Sequence, residues 1–157
     1  MLVKDWQDLH KDSKGIDYVL ANITKVETCS LGMVLDINFR NRTGKVDKSR
    51  FVINYTDPDG SYRIAEDGKI HPFHTPNNTQ YVLDNTRLSA ETLVLLGQVF
   101  LSGTVLRNSF QGMCADVIDG SGTKKAREKY GLKYNIHPRN LRLTSLIDNF
   151  KRGQHRK

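Results

Sequence analysis

At 157 residues the chain is long enough for one core to bury roughly two thirds of the unfolded surface, so a single domain spanning 1–157 is expected. Its 38% apolar content is spread along the whole length, which excludes disorder outside the ends, and no apolar run approaches the roughly 18 residues a bilayer-spanning helix needs. The net charge of +7 is one-sided: residues 120–157 hold eleven of the 24 basic side chains against Glu128 and Asp148, a local +9, and the remaining 119 residues come to −2.

Residues 1–14 mix Lys4, Asp5, Asp8, Lys11, Asp12 and Lys14 and carry no apolar leader, which argues for a cytoplasmic protein. Leu2, Trp6 and Leu9 are spaced as one face of a short helix that ends before Gly15 and tucks Trp6 inward. The alternation of Ile16, Tyr18, Leu20, Ile23 and Val26 predicts a strand over 16–28 with an irregularity near Asn22. The clearest pattern follows, with Leu31, Met33, Leu35, Ile37 and Phe39 alternating with Gly32, Val34, Asp36 and Asn38. Only Cys29 and Ser30 separate it from the first strand, so the two should form a hairpin. Residues 41–48 read as a loop around Gly44, and 50–55 as a third strand.

Asp57-Pro58-Asp59-Gly60 is turn chemistry, 62–65 a returning strand, and Glu66-Asp67-Gly68-Lys69 a second tight turn. Residues 71–78, with Pro72 and Pro76, read as an irregular excursion before a short strand at 80–83. Ser89 is an N-cap candidate, with Leu88 and Leu93 as a hydrophobic staple and Glu91 in the first turn. The helix it starts is apolar nearly all round; it either continues through Gly97 to Leu101 or stops at Leu96 and runs into a strand. Residues 104–108 and 113–118 suggest a hairpin, and Asp119-Gly120-Ser121-Gly122 a hinge into the basic segment. There, 124–130 predicts a helix stopped by Gly131, 138–150 a second helix opened by Pro138, and 151–157 a frayed end. The fold class is therefore α+β: an antiparallel β-meander of about five strands, open or barrel-like, a central apolar helix, and a basic C-terminal helical pair. The body is 1–119 and the basic segment 120–157.

A one-sided basic block steers polyanions, and each phosphate it neutralises releases counterions, giving affinity without base readout. DNA or RNA is the partner this predicts. The contacting set is Lys124, Lys125, Arg127, Lys129, Tyr130, Lys133, Tyr134, Arg139, Arg142, Lys151 and Arg152. Tyr130 and Tyr134 among the lysines would stack on unpaired bases. The helical pair loosely resembles a helix-turn-helix, although its small residue, Ala126, stands five before the turn glycine and Pro138 delays the second helix. An acidic protein surface is the alternative partner, for an assembly or inhibitor factor. The Asn, Lys and Thr usage fits an AT-rich genome, such as that of a phage or a low-GC bacterium.

Catalytic signals are weak. Pro58-Asp59 followed by Asp67-Gly68-Lys69 matches the spacing of metal-dependent nucleases, the second alternative, but both carboxylates fall in turns where the chemistry needs a strand. His71-Pro72-Phe73-His74 pairs two imidazoles that a proline keeps off any regular helix. Cys29 and Cys114 sit in segments that read as buried strands and are expected to be inert core thiols. Asn-x-Ser/Thr triplets at Asn22, Asn41, Asn54 and Asn77 carry no weight without an export signal. No phosphate loop, nucleophile elbow or dinucleotide fingerprint is present, so no catalytic residue, metal or cofactor is assigned.

Overall fold

Strict alternation along residues 33–39 makes one face of a strand apolar, and that face becomes the floor of the core. The computed structural model describes residues 1–41, 43–73, 86–118, 135–145 and 148. In it Met33, Leu35, Ile37 and Phe39 of β2 (Gly32–Arg40) are buried, while Val34, Asp36, Asn38 and Arg40 on the opposite face are half-exposed. β2 pairs antiparallel with β1 (Ile23–Thr28) and β3 (Val46–Asn54), and β4 (Tyr62–Ile64) and β5 (Ile70–Pro72) continue the meander in sequence order. Among the described residues the sheet stays open, with β1 and β5 as its edges, so the barrel-like closure does not occur. The irregularity foreseen near Asn22 is a bulge between Ile23 and Lys25.

Several local expectations are corrected. Residues 15–21 form helix α2 (Gly15–Ala21), not the start of a strand. All seven of its residues are buried, so it has no polar face from which a helical period could be read. On α1 (Val3–His10) the inward residues are Val3 and Trp6, whereas Leu2 and Leu9 are exposed. β3 begins at Val46, inside the expected loop, because Lys48 and Asp47 pair with Asn38 and Phe39. The start of the segment read as irregular, residues 71–72, belongs to β5; Pro72 is tolerated there because an edge strand needs no donor on its outer side. The strand expected at 80–83 lies outside the described residues.

The central helix does form, as α3 (Ala90–Ser102), and it runs unbroken through Gly97. The Ser89 hydroxyl accepts from the Thr92 N–H at 3.2 Å, and Gly103, at φ 80°, ends the helix in the left-handed conformation. At Gly97 the helix approaches β2 closely: a Cβ there would press on the Met33 sulfur and crowd Leu35, so one of those side chains would have to shift. Leu93 and Val94 beneath it are 0% exposed, and each such side chain stabilises the fold by roughly 1.5–3 kcal/mol. Among the described residues no helix is long and apolar enough to cross a membrane.

The C-terminal half departs most from expectation. Residues 104–105 do not pair with 113–118; they bridge to the chain start, with Val105 N–H donating to Met1 O at 2.8 Å and Val3 N–H to Gly103 O at 2.9 Å. β6 (Met113–Val117) pairs instead with β7 (Leu141–Ser145), which occupies the beginning of the predicted second basic helix. Pro138 opens only a short 3-10 turn, Pro138–Asn140. A basic helical pair, and with it a helix-turn-helix, is thus overturned on its C-terminal side. The other predicted member, at 124–130, lies outside the described residues.

Candidate nucleic-acid interface

Of the eleven residues assigned to an anionic partner, Arg139 and Arg142 lie in the described structure. Lys124, Lys125, Arg127, Lys129, Tyr130, Lys133, Tyr134, Lys151 and Arg152 lie outside it. What the structure fixes is the place where the basic segment joins the body. Val117 stands opposite Leu141 in the β6–β7 ladder, and the Ile118 N–H donates to the Asn140 carbonyl at 2.8 Å. Ile118 and Asn140, 22 positions apart in the chain, are therefore neighbours in space.

The return path is well anchored. Ile136 is fully buried, and its N–H donates to the carbonyl of Tyr55, just beyond β3, at 2.8 Å. His137 meets the Tyr55 ring edge-on at 5.0 Å between centroids. The Asn140 side chain donates to Asn135 O at 2.7 Å, while the Asn135 side chain accepts from the His137 N–H at 2.8 Å. Arg139 projects from this anchored turn into solvent, its N–H donating to His137 Nδ1 at 3.2 Å. A side chain so placed can meet a phosphate.

Arg142 has a different environment. It stands across from Asp116 in the ladder, and its Nε donates to Asp116 Oδ2 at 2.9 Å. The Asp116 side chain is 3% exposed and the Arg142 side chain 50%, so a buried carboxylate holds a half-exposed guanidinium. Asp116 was not singled out in the sequence; a lone acid in an apolar strand pattern, with its partner 26 residues away, is the signal that could have drawn attention to it.

The residues considered for metal or nuclease chemistry do not converge. Asp59 lies in the 3-10 turn Pro58–Gly60 before β4 and Asp67 in the turn after it, so the whole strand separates them. Asp67 Oδ1 accepts from the Lys69 backbone N–H at 3.0 Å, and that bond is the main reason its carboxyl is held below the usual carboxylate range. His71 is on β5 opposite Arg63, and burial, then the Arg63 charge, lowers its imidazole; His74 is outside the described residues. Among the described residues no three His, Cys, Asp or Glu side chains are placed to hold a metal ion.

A polar cluster not visible in the sequence lies on the inner side of the sheet. Arg63 shares a row with Phe51 and His71, its guanidinium sits 5.1 Å from the Phe39 ring centre, and it donates to the buried Ser49 hydroxyl at 3.0 Å. Ser49 in turn donates to Asp47 at 3.3 Å, and the Glu66 N–H donates to Asp47 at 2.7 Å. Burial lowers the Arg63 pKa, with Asp47 and Asp67 acting in the opposite sense. These mutual bonds give the cluster a structural account, binding β3 to β4.

The cysteines are also corrected. Cys29 is exposed in the β1–β2 turn, its N–H donating to Gly32 O at 2.9 Å, and Cys114 is half-buried on β6. Burial, with Asp116 adding to it, pushes the Cys114 thiol up, which keeps it protonated and a poor nucleophile. Comparison with known proteins yields no matching family model, no significant match among curated proteins, and none among solved structures.

Proposed function

We propose that the protein is a non-enzymatic nucleic-acid-binding protein that engages phosphate backbones through its basic C-terminal segment. The observation that carries this reading is the charge partition, +9 over residues 120–157 against −2 for all the rest. Arg139, one of the eleven basic residues of that segment, is exposed on an anchored turn, which supports the reading. The separation of Asp59 from Asp67 weighs against the nuclease alternative.

The test is affinity for a labelled DNA duplex and for single-stranded DNA and RNA across a salt series. Log affinity should fall linearly with log salt, with a slope of about −0.9 per phosphate neutralised on a duplex and about −0.7 on a single strand. Replacing Lys124, Lys125, Arg127 and Lys129 with Gln should flatten the slope. Binding that ignores salt, or none at low salt, overturns the reading; co-purification of one acidic protein in place of nucleic acid would favour the docking-factor alternative.

A further inference from the structure

A strand at the margin of a sheet leaves half of its backbone N–H and C=O groups unpaired, which invites a further strand unless something blocks it. The two margins of this sheet differ in that respect. On β5 the Phe73 N–H donates inward to Ser61 O, so by alternation Pro72 turns outward a position that has no N–H to offer. No proline interrupts β1. The Cys29 N–H donates to Gly32 O at 2.9 Å, so the backbones of Lys25 and Glu27 also face β2, while those of Val26 and Thr28 point away from it. Among the described residues no backbone hydrogen bond reaches Val26 or Thr28 from that outer side.

We propose that β1 is a homodimerisation edge, at which two copies of this chain pair antiparallel about a two-fold axis through Val26. Charge selects the register. Lys25 and Glu27 project from the outer face of the sheet, 60% and 66% exposed, with Lys25 Nζ 2.9 Å from Glu27 Oε1. With Val26 facing Val26 of the second copy, the outward backbone groups meet in reciprocal hydrogen bonds, Lys25 falls opposite the second copy's Glu27, and Glu27 opposite its Lys25. A slip of two residues either way, the smallest that keeps the outward groups paired, sets Lys25 against Lys25 or Glu27 against Glu27. The charges that guard this edge against other pairings therefore admit one, with a second copy of itself.

The surface beside β1 fits the same register. Counting outward from Val26, the β1–β2 turn of one copy comes level with Ala21 and Asn22 of the other, and Leu31 with Ala21. A groove of about 680 Å³ lies at that place, with Leu2, Val3, Ala21, Ile23 and Phe100 among its walls. Leu31, at the tip of the turn, is 72% exposed. In the pair each copy offers one leucine and one groove, as a two-fold interface requires, and burial of the two leucines adds an apolar contribution to the backbone bonds. The proposal uses no residue of the basic segment and stands apart from the nucleic-acid reading.

Sedimentation equilibrium on the nuclease-treated full chain, over a concentration series reaching about 1 mM, measures the association directly, with circular dichroism to confirm that each variant is folded. The wild type should show a monomer–dimer equilibrium. Glu27→Lys alone and Lys25→Glu alone each bring like charges together on both sides of the axis and should weaken the dimer by about tenfold or more. The double exchange restores opposite charges and should recover wild-type association, and an equimolar mixture of the two single variants should form a mixed dimer. Leu31→Asp, on an exposed turn, should also weaken the dimer. Wild-type protein that stays monomeric throughout overturns the proposal, as does a dimer indifferent to the single charge reversals or to Leu31→Asp, or one that stays lost in the double exchange. Should a charge variant fail to fold, Leu31→Asp decides by itself.

Discussion

Replacing Asp17 with Ala should be among the most damaging single changes in the body of the protein. Asp17 lies on the fully buried helix α2 and is 2% exposed, yet it reaches across the sequence to residues 109–110. One carboxylate oxygen accepts the Phe110 N–H at 2.7 Å, and the other accepts the Ser109 hydroxyl. Trp6 grips the same stretch, its indole N–H directed at Arg107 O and Asn108 O at 3.1 and 3.2 Å. Loss of two hydrogen bonds to a carboxylate, at about 1.5–3 kcal/mol each, gives a destabilisation of about 3–6 kcal/mol. At about 2–4 °C per kcal/mol for a domain of this size, Tm should fall by roughly 6–24 °C. Asp17→Asn, which keeps one acceptor, should lose about half as much. Urea unfolding followed by fluorescence provides the assay, and the protein's single Trp reports directly on the strap it holds. A loss below about 1 kcal/mol in Asp17→Ala, with unchanged Trp6 emission, would refute the reasoning, because it would mean that the Phe110 N–H finds water or another acceptor at no cost.

Two further outcomes follow from burial. A maleimide reagent should modify exposed Cys29 rapidly in the native state and half-buried Cys114 slowly, the rates converging only in denaturant; equal native rates would contradict the placement of Cys114 on β6. Burial raises the phenol pKa of both Tyr18 and Tyr55, and the Tyr18 hydroxyl also donates to Asn38 O at 2.8 Å. Their folded pKa values lie above the unfolded value of about 10, so the stability they contribute is complete below that pH and is lost as pH rises through the folded values. Tyr18 and Tyr55 should therefore ionise late in a tyrosinate absorbance titration, in step with alkaline unfolding; their ionisation near pH 10 without unfolding would contradict it.

The elements that were legible in the sequence are those whose neighbours in space are also neighbours in the chain. The alternation of Met33 to Phe39, the turn at Gly68, and the cap at Ser89 each state their structure within a few residues, and the five-stranded meander pairs each strand with the next. Misreadings arose where distant partners decide. Buried on every side, α2 shows no amphipathic period, and its Ile16, Tyr18 and Leu20 imitate a strand. Leu141 and Leu143 were read with Leu146 and Ile147 as a helix face because the strand that claims them, β6, lies 24 residues upstream in register. For the candidate interface the charge partition was visible from composition, but Asp116 was not, since a buried acid acquires meaning only from the arginine placed opposite it.

The sequence by itself determined the α+β class, the meander, the central helix and the concentration of positive charge, because composition, period two and capping are local physics. Only the tertiary structure decided that the described strands leave the sheet open, that α3 lies close on β2 at Gly97, and that β6 pairs with β7, with Val117 opposite Leu141, 24 positions along the chain. Those outcomes depend on which surfaces remain to be covered once the local elements exist. Packing and non-local backbone pairing settle that, and neither leaves a mark within a short window of sequence.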